Sequence, residues 1–212
     1  MERRDRHDGW GRRHVLKSAM GLVAVGVPGV FAQAGRGRGA AAPEPPRGTQ
    51  LVLLGTQGGP NINAQRTEAS SAVVADGRAY LVDCGYGTLR ALVAAGLAYR
   101  QLSTVFITHL HDDHTSDLAA LLTHQWTGSR AEPTDVYGPY GTAAMVAGAL
   151  AFSKGNFEIR SIDEGRTSRP ESLFRGHDLA ATVAPADAFK DGGVTVRSVE
   201  NTHFPEIGRA HV

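Results

Sequence analysis

Thr108-His109-Leu110-His111-Asp112-Asp113-His114 decides how this chain is read. The stretch comes directly after the apolar run Leu102 to Ile107, which reads as a strand. Three imidazoles and two carboxylates therefore stand at the carboxyl end of a strand, where open α/β sheets build their sites. So many ionisable groups are costly to bury together, and the histidines repel one another if protonated. A divalent cation resolves both problems, because neutral imidazole and carboxylate are ligands that zinc accepts, and iron and manganese accept them as well. In an extended segment His109 and His111 point to the same side and grip one ion together. Asp113 and His114 fall where the chain turns, within reach of a second ion.

The flanking sequence supplies alternating strands and helices. Gln50 to Leu54 reads as a buried strand, and a Gly- and Asn-rich loop runs from Thr56 to Glu68. Ser71 to Ala75 and Ala79 to Val82 are apolar runs joined by Asp76-Gly77, a two-residue hairpin signal. Tyr86 to Ala95 has helical spacing and stops at Gly96. Ser116 or Asp117 caps a helix bearing Leu118, Leu121 and Leu122. Thr134 to Tyr137 reads as a strand, Thr142 to Phe152 as a helix, and Gly193 to Val199 as a strand leading to His203. Asn156 to Asp191 gives no firm pattern. A hairpin-rich start and later alternation point to mixed α/β layers.

His109-x-His111-x-Asp113-His114 resembles the HxHxDH signature of the metallo-β-lactamase superfamily. Leu54-Gly55-Thr56-Gln57-Gly58-Gly59-Pro60 and Leu81-Val82-Asp83-Cys84-Gly85 are similar to the opening of its branch with ribonuclease Z and certain secreted arylsulfatases. The resemblance covers residues 50–212 and implies an α/β fold of the four-layer αββα sandwich type, with its second half incomplete. It implies that His109 and His111 hold a first metal with His203, that Asp113 and His114 hold a second, and that Asp83 supports them by hydrogen bonds. It further implies two Zn2+ per intact site and a hydrolase in which hydroxide on the metal attacks an ester, Asp113 orienting the water. The same signature serves iron-dependent redox enzymes, and metal identity separates the two readings.

The family's later bridging Asp and last His are expected after the His203 position, where nine residues remain. The expectation is a truncated chain: one metal held by His109, His111 and His203, with the second left to Asp113 and His114, so that the further alternative is a metal-binding fragment without activity of its own. Asn63 and Arg66 are weak candidates for meeting an anionic substrate group, and His177 and His124 read as ordinary polar positions. Gly58 and Gly59 serve backbone geometry, because they are not succeeded by the helix start and Lys that a phosphate loop needs.

Residues 1–34 read as a leader. Arg12-Arg13 with Leu16 and Lys17, the apolar run Ala19 to Phe31, and Ala32-Gln33-Ala34 resemble a twin-arginine signal with its cleavage site. The run is too short and too rich in Gly and Ala for a membrane span. Residues 35–49 read as a flexible linker. Six of the 22 basic and three of the 21 acidic residues lie in the leader, which leaves 16 against 18 beyond it, a formal charge of −2. That balance gives no overall pull toward nucleic acid. The single cysteine, Cys84, excludes an intramolecular disulfide. Together these imply a periplasmic or secreted enzyme acting on a small-molecule ester, arylsulfatase-like or phosphodiesterase-like, with export arguing against nucleic acid as a partner.

Overall fold

Ser70–Ala75 (β2) and Arg78–Val82 (β3) form the hairpin that the Asp76-Gly77 pair demands. Both turn residues have positive φ, 48° at Asp76 and 78° at Gly77, the geometry that suits the right-handed twist of the strands. The structure, a computed structural model, describes residues 48–201 and the backbone of Ala210–His211. The expected leader, nearly all of the expected linker, and His203 lie outside the described residues.

Gln50–Gly55 (β1) pairs antiparallel with β2. Thr104–Phe106 (β4), Thr134–Gly138 (β5) and Phe174–Asp178 (β6) then add in parallel, giving the order β1-β2-β3-β4-β5-β6. Each parallel step needs a crossover, and helices supply it. Thr88–Ala94 (α1) links β3 to β4, while Asp112–Thr115 (α2) and Leu118–Thr127 (α3) link β4 to β5. Thr142–Asp163 (α4) and Pro170–Leu173 (α5) link β5 to β6. The helices pack Leu92, Leu118, Leu121, Trp126, Val146 and Phe157 against Ala72, Leu81, Val105 and Val136 of the sheet.

The opposite face carries Tyr80, Phe106 and Tyr137. Over it lies the antiparallel hairpin of Ala186–Asp191 (β7) and Val194–Ser198 (β8), whose Phe189 meets those three rings at centroid distances of 5.5–5.9 Å. Glu200–Asn201 (β9) pairs with Ala210–His211 (β10). The layers described are therefore helices, a six-stranded sheet and a hairpin.

Three details differ from the sequence reading. The strand expected to be buried over Gln50 to Leu54 is an edge strand, with Leu54 buried but Leu51 and Leu53 exposed, because only one of its faces meets the core. The helix expected over Thr142 to Phe152 continues through Gly155 to Asp163. Glycine weakens a helix interior, but here Phe157 packs edge-on against Trp126 at 4.9 Å and Ser153 Oγ meets Thr123 Oγ1 at 2.6 Å. Tertiary contact overrides propensity. Asp117 does sit at the start of α3, yet it makes no side-chain cap there. Its carboxylate accepts from the Leu89 N–H of α1 instead, at 3.2 Å.

On β5 and β6, Arg175 grips Asp135 through two nitrogens at 2.6 and 2.8 Å, and His177 Nε2 meets the same carboxylate at 2.6 Å. Partial burial pushes the Asp135 carboxyl up, but Arg175 and His177 outweigh it and hold it below the ordinary carboxylate value. A depressed folded value stabilises above the unfolded one and is lost as pH falls through the folded one. Asp135→Asn is therefore expected to cost about 1 kcal/mol at neutral pH, modest because Arg175 is half exposed. Thermal unfolding against pH checks this: the gap between variant and parent should narrow as pH falls below the ordinary Asp value of about 3.9 and through the lower folded one.

Candidate metal centre

β3 and β4 run side by side in parallel, with Val82 opposite Phe106, so the two strands end together. Asp83 leaves β3 in the left-handed region at φ 61°, a conformation that Asp tolerates better than most residues. Its N–H donates to Phe106 O at 2.8 Å, and the Cys84 N–H donates to His114 O at 2.8 Å. These bonds tie the end of β3 to both ends of the histidine segment. Gly85 makes the approach possible, since a Cβ there would lie 2.1 Å from Asp113 O.

The Asp83 carboxylate anchors the segment. It accepts from the Thr108 N–H at 2.8 Å and from Thr108 Oγ1 at 2.9 and 3.1 Å, and it meets His114 Nδ1 at 2.7 Å. This contact leaves His114 Nε2 beside Asp113 Oδ2, 3.6 Å away. Burial lowers the His114 imidazolium pKa, but Asp83, Asp113 and Glu68 outweigh it and raise it.

His109 Nε2 and His111 Nδ1 stand 2.9 Å apart, so only one of them carries a proton between them. With a carboxylate oxygen of Asp113 they form a group whose ligand atoms all lie within 4.8 Å of one another. Asp113 is only 6% exposed and accepts the Gly59 N–H at 2.7 Å. A cleft of about 470 Å³ opens over this group, lined by Gly58, Gly59, Pro60 and residues 109 and 111–114. Two imidazoles and a carboxylate converging in a part-buried cleft fit a divalent cation of the zinc type. The histidine segment thus brings Asp113 into the His109–His111 group, while His114 is held on the Asp83 side of it.

Other residues lie elsewhere. Asn63 and Arg66 form an exposed bridged turn, with Asn63 Oδ1 accepting from the Gln65 N–H, and neither lines the cleft. His177 stacks on Tyr137 and belongs to the Asp135 cluster; His124 is exposed on α3. Cys84 is buried, and burial, with Asp117 and Asp83, pushes its thiol well up, so it packs and does not react. One contributor escaped the sequence reading, and a second was read only as serving backbone geometry. Glu68, buried, accepts from the Tyr86 N–H at 2.8 Å and from Ser116 Oγ at 3.1 Å, bracing the loop beside the segment. Nothing local marks that residue, because its partners are distant in sequence. Gly59 gives its N–H to Asp113, and only its place in a Gly-Gly-Pro loop hinted at a close backbone approach.

With this geometry in view, residues 65–202 match the family model described as the metallo-beta-lactamase superfamily. The chain belongs to that superfamily. Ribonuclease Z of Mycobacterium sp. (strain KMS) is 43% identical over 104 residues, covering 48% of this chain and 36% of the relative. Ribonuclease Z of Mycolicibacterium gilvum (strain PYR-GCK) is 42% identical over 108 residues, covering 49% and 37%. The chain thus spans little more than a third of the curated relatives it matches. Among solved structures, the metallo-beta-lactamase fold protein YhfI from Bacillus subtilis aligns with TM-score 0.55 at 19% identity, covering 77% of this chain and 56% of that one. Human tRNase Z, short form, aligns with TM-score 0.53 at 23% identity, covering 76% and 61%. The α/β metallo-β-lactamase fold is common to all of them.

These relatives correct one expectation. Export and a near-neutral charge argued against nucleic acid as a partner, yet the curated relatives are proteins named ribonuclease Z. A leader states an address and not a substrate, and net charge says nothing of a local groove. No helix among the described residues is long and apolar enough to cross a membrane.

If Asp83 sets the His114 ring, Asp83→Asn should weaken zinc binding about 10- to 100-fold. Asn tolerates the same left-handed backbone, so the metal-free protein should still fold, with a melting temperature lowered by the loss of the charged contact to His114. Titration with zinc against a chromophoric chelator reads the affinity directly; an unchanged affinity would remove Asp83 from the metal centre.

Proposed function

We propose that this chain carries the metal centre of a hydrolase that cleaves phosphodiester bonds, with RNA as the substrate class. The convergence of His109 Nε2, His111 Nδ1 and Asp113 in one cleft carries the reading. Identity of 43% to proteins named ribonuclease Z supports the substrate class. His109, His111 and Asp113 would hold a divalent cation, zinc by the chemistry of the donors, with His203 proposed as a further nitrogen ligand. His114 and Asp113, side by side, are proposed to take a second ion. When bound, such ions acidify water and neutralise charge on the phosphoryl oxygens. The chain's own groups set the stage: Asp83 and Thr108 fix the His114 ring, the Gly59 N–H orients the Asp113 carboxylate, and Asp113 accepts a proton from the attacking water.

The test pairs metal content with turnover. The zinc-loaded chain should hydrolyse bis(p-nitrophenyl) phosphate and an RNA oligonucleotide, and chelation should abolish both activities until zinc is restored. Asp113→Ala should lower bound metal and cut turnover by at least about a hundredfold. Turnover indifferent to chelation would sink the reading. Cleavage of p-nitrophenyl sulfate with no cleavage of either phosphodiester would replace it with a sulfatase-like one.

We also propose export through the twin-arginine leader, a reading that rests on Arg12 and Arg13 with the apolar run after them. Replacing both by Lys should keep the precursor in the cytoplasm, as read by immunoblotting of cell fractions. Undiminished export of that variant would refute the route.

A further inference from the structure

Glu68 lies in the loop between β1 and β2 and is only 3% exposed. Its side-chain hydrogen bonds both end on one oxygen. Oε2 accepts from the Tyr86 N–H at 2.8 Å and from Ser116 Oγ at 3.1 Å. A single amide oxygen would satisfy the same two donors. Burying a charge costs more than burying an amide that is hydrogen-bonded. Hydrogen bonding therefore accounts for an acceptor at this position, and not for a carboxylate.

The surroundings of Glu68 sharpen the question. Asp83 and Asp113 are each 6% exposed, and Asp117 is partly buried at the start of α3. Among the described residues no Lys or Arg forms an ion pair with any of these four carboxylates. Their ion-pair partner is His114, 2.7 Å from Asp83 and 3.6 Å from Asp113. Glu68 acts through space on both sides: it helps to raise the His114 imidazolium, and it adds to the burial that pushes the Asp117 carboxyl up. One imidazolium offsets one negative charge of the four. In a water-poor interior the remaining excess reaches further than it would at the surface. Glu68 does not line the cleft over the His109, His111 and Asp113 group, so it stands behind that group and not within it.

We infer that Glu68 is a counter-charge of the metal centre: its carboxylate favours a divalent cation in the cleft through space, without ligating it. Asp117 adds to the same field from the next helix. This role rests on the metal centre proposed above, and it explains why a charge is kept where an amide would serve the hydrogen bonds. It gives Glu68 a part in holding the cation and none in breaking a bond.

Glu68→Gln separates charge from shape, because the amide oxygen can take both donors. With zinc titrated against a chromophoric chelator, the full chain should lose about tenfold in affinity. The metal-free protein should melt at the parent's temperature or above it, since a buried charge has been removed. A purely structural role would lower the melting temperature and the affinity together, and that result would overturn the proposal. Asp117→Asn, which keeps an acceptor for the Leu89 N–H, should weaken zinc binding about threefold, and it decides the matter if Glu68→Gln does not fold. Zinc affinity unchanged in either folded variant would overturn the proposal while leaving the metal centre in place. A parent chain that binds no zinc would overturn the metal centre itself, and this role with it.

Discussion

The carboxylate of Asp83 is the hinge on which the site turns. It stands where β3 ends, and β3 ends beside β4 because the two strands pair in parallel. From there it holds the Thr108 backbone, the Thr108 hydroxyl and the His114 ring at once. A residue in the left-handed region costs free energy, and that cost is offset by bonds reaching across the gap between strands. Without this brace, five ionisable side chains in six residues would splay apart by mutual repulsion and solvation. With it, three of them converge on one point in the cleft.

The sheet divides the molecule into two regimes. On the helix side a dry layer of leucines, Trp126 and Phe157 fixes strand order, and buried Gln125 is fully paired, donating to Tyr99 O and Leu102 O and accepting from Thr134 Oγ1. A satisfied buried amide of this kind rigidifies the crossover that feeds β5. On the other side an aromatic cluster of Tyr80, Phe106, Tyr137 and Phe189 is bordered by the charged Asp135, Arg175 and His177 group. Leu51 and Leu53 on β1 stay well exposed on that side, facing away from the buried Leu54. The histidine segment lies at the carboxyl ends of the strands between these regimes, where backbone ends give a site its donors without breaking the sheet.

Much of this was readable in advance where chemistry is local. The Asp76-Gly77 turn, the strands around it, the helix stopping at Gly96 and the strand before the histidines all depend on neighbours within a few residues. The second part of α4, together with β6 and β7, was not readable. Gly155 breaks the local pattern there, and only Trp126 and Thr123, some thirty residues upstream, make a helix worth forming. β6 reads as a polar stretch because Arg175 and His177 find their counter-charge on β5.

The sequence by itself determined the candidate chemistry: His109, His111, Asp113 and His114 as possible donors, their spacing, and the superfamily they signal. It could do so because ligand identity and the period of an extended chain are local properties. Only the tertiary structure decided which donors share a point, that Glu68 and Gly59 brace them, and that Asn63, Arg66 and His177 stand apart. Those outcomes depend on which strands lie side by side and on backbone atoms meeting across tens of residues, and no short stretch of sequence encodes such meetings.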